Sequence, residues 1–256
     1  MEYKKLNLKV PIENNNYYDL SCMAINNIDK IFKSAIKDNK NKIIINTNLK
    51  SGIPMENVNK IAGPFIEAWA HETFNNDFEK KDNNNFFKKI EPGQRLNMAD
   101  IILDFKSKNN SVIIKANVDV KATSNDIKNS GKSPNITSFS RIRSEYIKDP
   151  DYIFIILSIK HRVYSKKNKK DSMMMGIMEI VDFKSYDLKY ISKKDLSYNP
   201  ALGTGQIQLR DIHNVSLEKR TTKEFCELLD VKFLSSKKSF NEFYKYALQN
   251  KWLINE

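Results

Sequence analysis

Residues 98–121 read MADIILDFKSKNNSVIIKANVDVK, and this stretch decides the fold. Ala99 to Phe105 alternates and is rich in β-formers, Ser107 to Asn110 is polar, and Val112 to Lys121 is again a strand pattern. Two strands joined by a short polar turn make a hairpin. A turn centred on Lys108 and Asn109 pairs Asp100 with Asn117, and residues directly opposite share a face of the sheet. Asp119 and Lys121 follow Asn117 at a period of two, so they project from that same face. Two carboxylates and an ammonium thus converge, diagonal neighbours being roughly 7 Å apart. Such a cluster is unfavourable without a cation or a chemical task.

On the N-terminal side, residues 20–37 carry Met23, Ile28, Ile31, Phe32 and Ile36 at helical spacing, and Ile43 to Ile45 form a short β-like run. After Pro54 a stronger helical pattern places Val58, Ile61, Phe65, Ile66, Trp69 and Phe74 near a 3.6-residue period, with Gly63 and Pro64 starting its second section. Glu67 projects from this helix, and residues 75–89, polar and Asn-rich, predict an exposed loop. On the C-terminal side, Ala122 to Pro134 predicts irregular chain and Asn135 to Lys148 a helix. Tyr152 to Ile159 (YIFIILSI) is nearly all apolar, which marks a strand covered on both faces. Met174 to Phe183, Ser185 to Ile191 and Gln206 to Ile212 give further strand patterns, and Thr221 to Leu234 and Phe240 to Trp252 predict closing helices. With no repeat and no long linker, the expectation is one α/β domain over residues 1–256, a central mixed sheet flanked by helices.

Forty-three Lys and Arg against 31 Asp and Glu leave a formal charge of +12, which points to a polyanionic partner, nucleic acid first, with plain solubility as the bland alternative. No apolar run approaches the roughly 18 residues of a membrane span, and the opening MEYKKLNLKV lacks a secretory core, so a soluble cytoplasmic protein is expected. Cys22 and Cys226 have no CxxC partner and read as reduced thiols; His71, His161 and His213 are scattered and read as structural. The runs Lys166 to Lys170 and Met173 to Met175 read as a solvated loop and as core filling.

Two carboxylates on adjacent strands suit Mg²⁺, which takes oxygen ligands and keeps waters that a substrate phosphate can displace. Lys121, one alternate position past Asp119, would then hydrogen-bond an attacking water or phosphate oxygens, giving hydrolysis of a phosphodiester. The competing reading is a surface hairpin whose Asp and Lys side chains form solvated ion pairs. Glu67 reads either as an outer metal ligand, an acid behind the ligands, or a solvated helix residue.

The segment KATSNDIKNSGKSPNITS (121–138) adds a resemblance: DVK followed by a polar loop and PNI is similar to the catalytic strand and its continuation in type II restriction endonucleases of the PD-(D/E)xK superfamily. The segments IIINTNLK (43–50), NKIAGPFIEAWA (59–70), SGKSPNITSFSRIR (130–143), DYIFIILSIKH (151–161) and NPALGTGQIQ (199–208) resemble the HpaI family across most of the chain. HincII is similar chiefly around GPF, the AD and DVK strands, PNI and QIQ. The first motif is Ala99-Asp100 rather than Pro-Asp, a departure that leaves the acid in place.

The resemblance implies a restriction-endonuclease core in which Asp100, Asp119 and the Val120 backbone carbonyl hold Mg²⁺ and Lys121 is the catalytic lysine. It implies Asn135 as a base-reading residue, Lys132 and Ser133 in a loop that approaches DNA, and Gln206 and Gln208 on a strand beside a groove. Read from the residues alone, Asn135 equally suits a helix cap, and Gly203, Thr204 and Gly205 suit a tight turn. The implied protein is a Mg²⁺-dependent homodimer cutting both strands of a palindrome, GTTAAC or a close relative, to blunt ends. A repair or structure-selective nuclease on the same core, and a non-catalytic DNA-binding protein, are the alternatives.

Overall fold

The computed structural model describes residues 3–80, 87–93, 97–106, 113–201, 205–236 and 239–254. Its helices are α1 (Tyr17–Lys37), α2 (Met55–Lys60), α3 (Ala62–Phe78), α4 (Phe139–Lys148), α5 (Thr222–Leu234) and α6 (Phe240–Gln249). Its strands are β1 (Lys42–Ile45), β2 (Phe87–Pro92), β3 (Ile101–Lys106), β4 (Ile113–Ser124), β5 (Asn135–Ser138), β6 (Ile153–Lys167), β7 (Met174–Asp187), β8 (Leu196–Asn199) and β9 (Gln206–Leu209). The span read as one domain, residues 1–256, is built of two compact units: Cys22–Gly131 with Ile155–Tyr186, and Met1–Ser21 with Lys132–Phe154 and Asp187–Glu256. No helix of the described residues is long and apolar enough to cross a membrane.

The first unit contains a mixed six-stranded sheet in the order β1-β7-β6-β4-β3-β2, flanked by helices as the sequence predicts. β6 lies inside this sheet, which is why its first seven residues are all buried and the apolar run shows no alternation. On β3 the alternation is kept: Ile101, Leu103 and Phe105 are buried and face Val118, Ala116 and Ile114 across the antiparallel pair. α3 opens with Gly63 and Pro64 in its first turn, where the missing proline N–H breaks no intrahelical bond, and it packs on β4. Phe32 of α1 meets Trp69 and Phe74 of α3 edge-on at 5.3 and 5.2 Å and Phe183 of β7 at 5.4 Å, closing the core around the helices.

The hairpin forms with a register offset by two from expectation: Asn117 faces Ile102 rather than Asp100. An even offset leaves every side chain on its predicted face. The turn assigned to Lys108 and Asn109 lies outside the described residues. Residues 75–89 are not wholly loop: α3 runs to Phe78, and Phe87–Pro92 forms β2 against β3. The predicted strands 174–183 and 185–191 are one strand, β7, followed by a short 3-10 turn at Leu188–Tyr190. Residues 122–124 extend β4 rather than starting the irregular stretch.

The second unit holds a separate three-stranded antiparallel sheet, β5-β9-β8. The helix predicted from Asn135 starts instead at Phe139 with Ser138 at its N-cap, and Asn135–Ser138 is strand β5. Asn135 is therefore not a helix cap. Ile207, Leu209, Leu196 and Tyr198 point to the core side of this sheet, where Phe139 stacks on Phe233 at 4.9 Å and meets Trp252 edge-on at 5.7 Å. α5 and α6 each begin with a full capping box, Thr221 with Glu224 and Ser239 with Glu242.

Beneath α4 and α5, Arg143 binds Asp230 through two bonds, Nε to Oδ1 at 2.6 Å and Nη2 to Oδ2 at 2.9 Å. Tyr3 donates to the same carboxylate at 2.7 Å, and the guanidinium lies 4.2 Å over the Trp252 ring. Burial raises the Asp230 carboxyl's pKa, and the guanidinium opposes that rise. Both charges are shut away from water, so removing one strands the other. Asp230→Ala should cost about 3–5 kcal/mol of stability. Urea unfolding checks this, and the apolar double replacement Arg143→Met with Asp230→Leu should recover most of the loss.

Candidate active site

β3 and β4 bring the sequence-predicted acids together. Asp100 directly precedes β3, and its N–H donates to the carbonyl of Val118, the residue that Ile101 faces, at 2.9 Å; the ladder is irregular there, and the Asp100 charge is felt by Asp119. Val120 N–H leaves the ladder there and donates to Asp100 Oδ2 at 2.7 Å. In a strand a residue's N–H and C=O face the same neighbour, so the Val120 carbonyl is aimed to the side where Asp100 sits.

Lys121 completes the cluster from two residues along. Its Nζ lies 2.7 Å from both Asp119 oxygens, but only Oδ1 is placed to accept its hydrogen bond. Oδ2 is buried with no hydrogen-bond partner among the described residues. Asp119 is 3% exposed, so these are not the solvated ion pairs of an exposed hairpin. Burial pushes its carboxyl up to about 7; the Lys121 ammonium pulls it down, while Asp100 and Glu67 push it further up.

Glu67 is brought in by α3, which packs on β4. Partial burial raises its carboxyl, Asp100 adds to the rise and Lys121 opposes it, so these charges sense one another. Glu67, His71, Asn97 and Asp100 line an open groove of about 600 Å³. Gly93 is required at its rim: a Cβ there would lie 1.9 Å from the Ala99 carbonyl oxygen, and Gly93 N–H donates to the Asp100 carbonyl at 2.6 Å. His71, read from sequence as structural, sits one helical turn after Glu67; its Nδ1 contacts Asn75 at 3.1 Å and its Nε2 is buried without a partner among the described residues.

Among the described residues no three His, Cys, Asp or Glu side chains converge as a full metal-ligand set. The residues present fit a hard cation of another kind. A buried carboxylate oxygen that accepts no hydrogen bond among the described residues, a second carboxylate whose charge it feels and a backbone carbonyl supply oxygen alone, and Mg²⁺ keeps its remaining positions for water and substrate. Cys22 and Cys226 are free thiols, as expected, and burial raises Cys226 to about 12.

The residues expected to touch DNA lie in the second unit. Asn135 and Gln208 face each other across β5 and β9, and Gln206 faces Asn199 across β9 and β8. Lys132 pairs with Asp211 by a backbone bridge and an ion pair that holds the Asp211 carboxyl down to about 2 with help from Asn214 and the His213 N–H. Ser133 adopts a left-handed φ of 49° and donates its N–H to the Arg210 carbonyl at 3.2 Å. Gly205 has φ 66° and its Cβ position would overlap the Tyr198 hydroxyl, so glycine is required there; Gly203 and Thr204, the rest of the stretch read as a tight turn, lie outside the described residues. Ser197 and Asn199, which the sequence did not single out, share the face of Gln208 and Gln206. The alternation Leu196, Ser197, Tyr198, Asn199, buried and accessible by turns, is the signal that would have found them.

The family model for the type II restriction endonuclease HpaI matches residues 4–251. Over 254 residues, 99% of each chain, the sequence is 56% identical to the type II restriction enzyme HpaI of Haemophilus parainfluenzae. A match of that extent takes in both the acid-lysine face of β3 and β4 and the amide-bearing sheet, and with it this chain belongs to the HpaI family of type II restriction endonucleases.

Proposed function

We propose that this enzyme is a Mg²⁺-dependent homodimer that hydrolyses one phosphodiester in each strand of a short palindromic duplex, GTTAAC or a close relative, leaving blunt ends. The observation that carries the chemistry is the buried Asp119 carboxylate that feels the charge of Asp100, with one oxygen accepting no hydrogen bond among the described residues and the Lys121 ammonium ion-paired to it. Asp100, Asp119 and the Val120 carbonyl would hold the cation. When bound, Mg²⁺ supplies a lowered water pKa and charge neutralisation at the phosphate.

The chain's own residues do the rest. Val120 N–H fixes the Asp100 carboxylate so that it need not reorganise during the reaction. Lys121 Nζ, a quarter exposed, is the donor available to a water or to a phosphate oxygen. Glu67 lies behind this pair on a rigid helix and adds negative charge that favours a cation. Asn135, Gln206 and Gln208 offer amides to base edges, and Lys132 and Ser133 flank them. A two-fold protein matches the two-fold of a palindrome, one protomer cutting each strand.

Digestion of a plasmid of known sequence with Mg²⁺, followed by sequencing of the ends, tests this. Discrete fragments with flush ends inside one palindrome are expected. Scattered ends would sink it and favour a structure-selective nuclease.

Asp119 also sets a pH dependence. Below about 7 its carboxyl is protonated, and a cation must displace that proton. Affinity should fall by up to about tenfold per pH unit below that point and level off above it. The sign for stability follows. The folded pKa lies above the ordinary 3.8, so the stability contributed by the protonated form is full below 3.8 and is lost as pH rises towards about 7. A bound cation offsets that loss, so the rise in Tm produced by Mg²⁺ or Ca²⁺ should be larger at pH 8 than at pH 6. Equal shifts would contradict the assignment of Asp119.

A further inference from the structure

The accessible face of the β5-β9-β8 sheet carries Asn135, Ser197, Asn199, Gln206 and Gln208. An amide side chain is an ambiguous reader, because its oxygen and nitrogen exchange places by a flip. Here backbone groups remove the ambiguity. Asn199 Oδ1 accepts the Ala201 N–H at 3.0 Å, and a backbone N–H can only donate, so Asn199 turns its Nδ2 to Asn135. That Nδ2 donates to Asn135 Oδ1 at 3.5 Å. With its oxygen directed to β8, Asn135 presents Nδ2, a donor.

Gln208, directly opposite Asn135, is set the other way. Its Nε2 donates to the Ser133 carbonyl at 3.1 Å, and a carbonyl can only accept, so Gln208 presents Oε1, an acceptor. Ser133 is itself fixed by its left-handed backbone and its bond to Arg210.

Resting on the assignment of this face to base reading, we propose that Asn135 and Gln208 form a preset donor and acceptor pair that reads one adenine, and that Asn199 is the positioning residue that sets its polarity. Asn135 Nδ2 donates to adenine N7 and Gln208 Oε1 accepts from the N6 amino group. Guanine places an acceptor, O6, where adenine has that amino group, so Gln208 Oε1 meets a second acceptor with no proton between them. Discrimination against guanine comes from this mismatch; N7 is an acceptor in both purines, so the polarity that Asn199 imposes on Asn135 contributes to the strength of binding and not to the choice between them.

The test uses the full-length enzyme on a duplex carrying its mapped site, and on duplexes in which one adenine per half-site is replaced in turn by 7-deazaadenine or guanine. Asn135→Ala should lower kcat/KM by on the order of 10- to 100-fold, and 7-deazaadenine at one position should reproduce that loss in the wild type while adding nothing in the variant. Asn199→Ala should cost about tenfold in the wild-type background and nothing further in Asn135→Ala, since it acts only through Asn135. Asn199→Asp offers only acceptors to Asn135, draws its Nδ2 inward and exposes its oxygen to N7, so kcat/KM should fall further than in Asn199→Ala, on the adenine and guanine duplexes alike. If Asn135→Ala and 7-deazaadenine carry their costs while both Asn199 variants keep wild-type rates, the polarity inference falls and the base-reading surface stands. If Asn135→Ala cleaves with unaltered rate and preference, the surface assignment itself falls. Thermal unfolding of each variant at the wild-type midpoint confirms that the comparison concerns contacts and not folding.

Discussion

Asp119→Ala should lower cleavage roughly 10⁴-fold while leaving DNA affinity in Ca²⁺-free buffer within a few-fold of wild type, the loss corresponding to several kcal/mol of transition-state charge stabilisation. The size of the effect follows from how the residue is held. Its carboxylate is buried, feels the charge of Asp100 and carries an oxygen that accepts no hydrogen bond among the described residues. Folding has placed a charged group where burial opposes its charge, and pushed its pKa up to about 7, a cost that a cation recovers. Removing the group should therefore raise Tm without metal, since a desolvated carboxylate is lost, and should abolish the rise in Tm that Mg²⁺ produces. Activity and metal-induced stabilisation must disappear together. A variant that lost cleavage but kept the full Mg²⁺-dependent Tm shift would show that the cation is held elsewhere.

The Asp119 and Lys121 face was legible in sequence because it depends on parity, and the register is offset by two, where only an odd slip exchanges the faces of a strand; Asp100 reaches them from just before β3, its carboxylate accepting the Val120 N–H. Glu67 was legible as a helix residue but its approach to the acids was not, because that depends on how α3 packs on β4. β2 was hidden for a physical reason. Half of its residues FKKIEP are charged and they follow an Asn-rich stretch, and a strand at the end of a sheet needs little apolar surface. Asn135 read as the start of a helix because Ile136, Phe139, Ile142 and Tyr146 fit a helical period, but the first of these sits on β5 and only the others lie on α4. Pairing of β5 with β9, a contact between residues about 70 positions apart, overrode the local pattern.

The second large effect belongs to Lys121. Lys121→Ala should reduce kcat by about 10²–10⁴-fold, the range for loss of a positioned proton-handling or charge-stabilising group, with little change in DNA affinity. A second consequence separates its role from that of the acids. The Lys121 ammonium pulls the Asp119 carboxyl down, against burial and the charges of Asp100 and Glu67. Without it the carboxyl rises further above about 7, so the pH at which Mg²⁺ begins to stabilise the protein should move upward. Lys121→Arg keeps the charge, so it should keep that pH near its wild-type position, while the planar guanidinium should fail to restore most of kcat because it cannot present one compact donor in the same place. Measuring kcat and Mg²⁺-induced Tm shifts from pH 6 to 9 for both variants tests the two roles apart. If Lys121→Ala left both kcat and the pH midpoint unchanged, the ion pair with Asp119 would be structural, and the donor at the reacting phosphate would have to be sought on another element of the same groove.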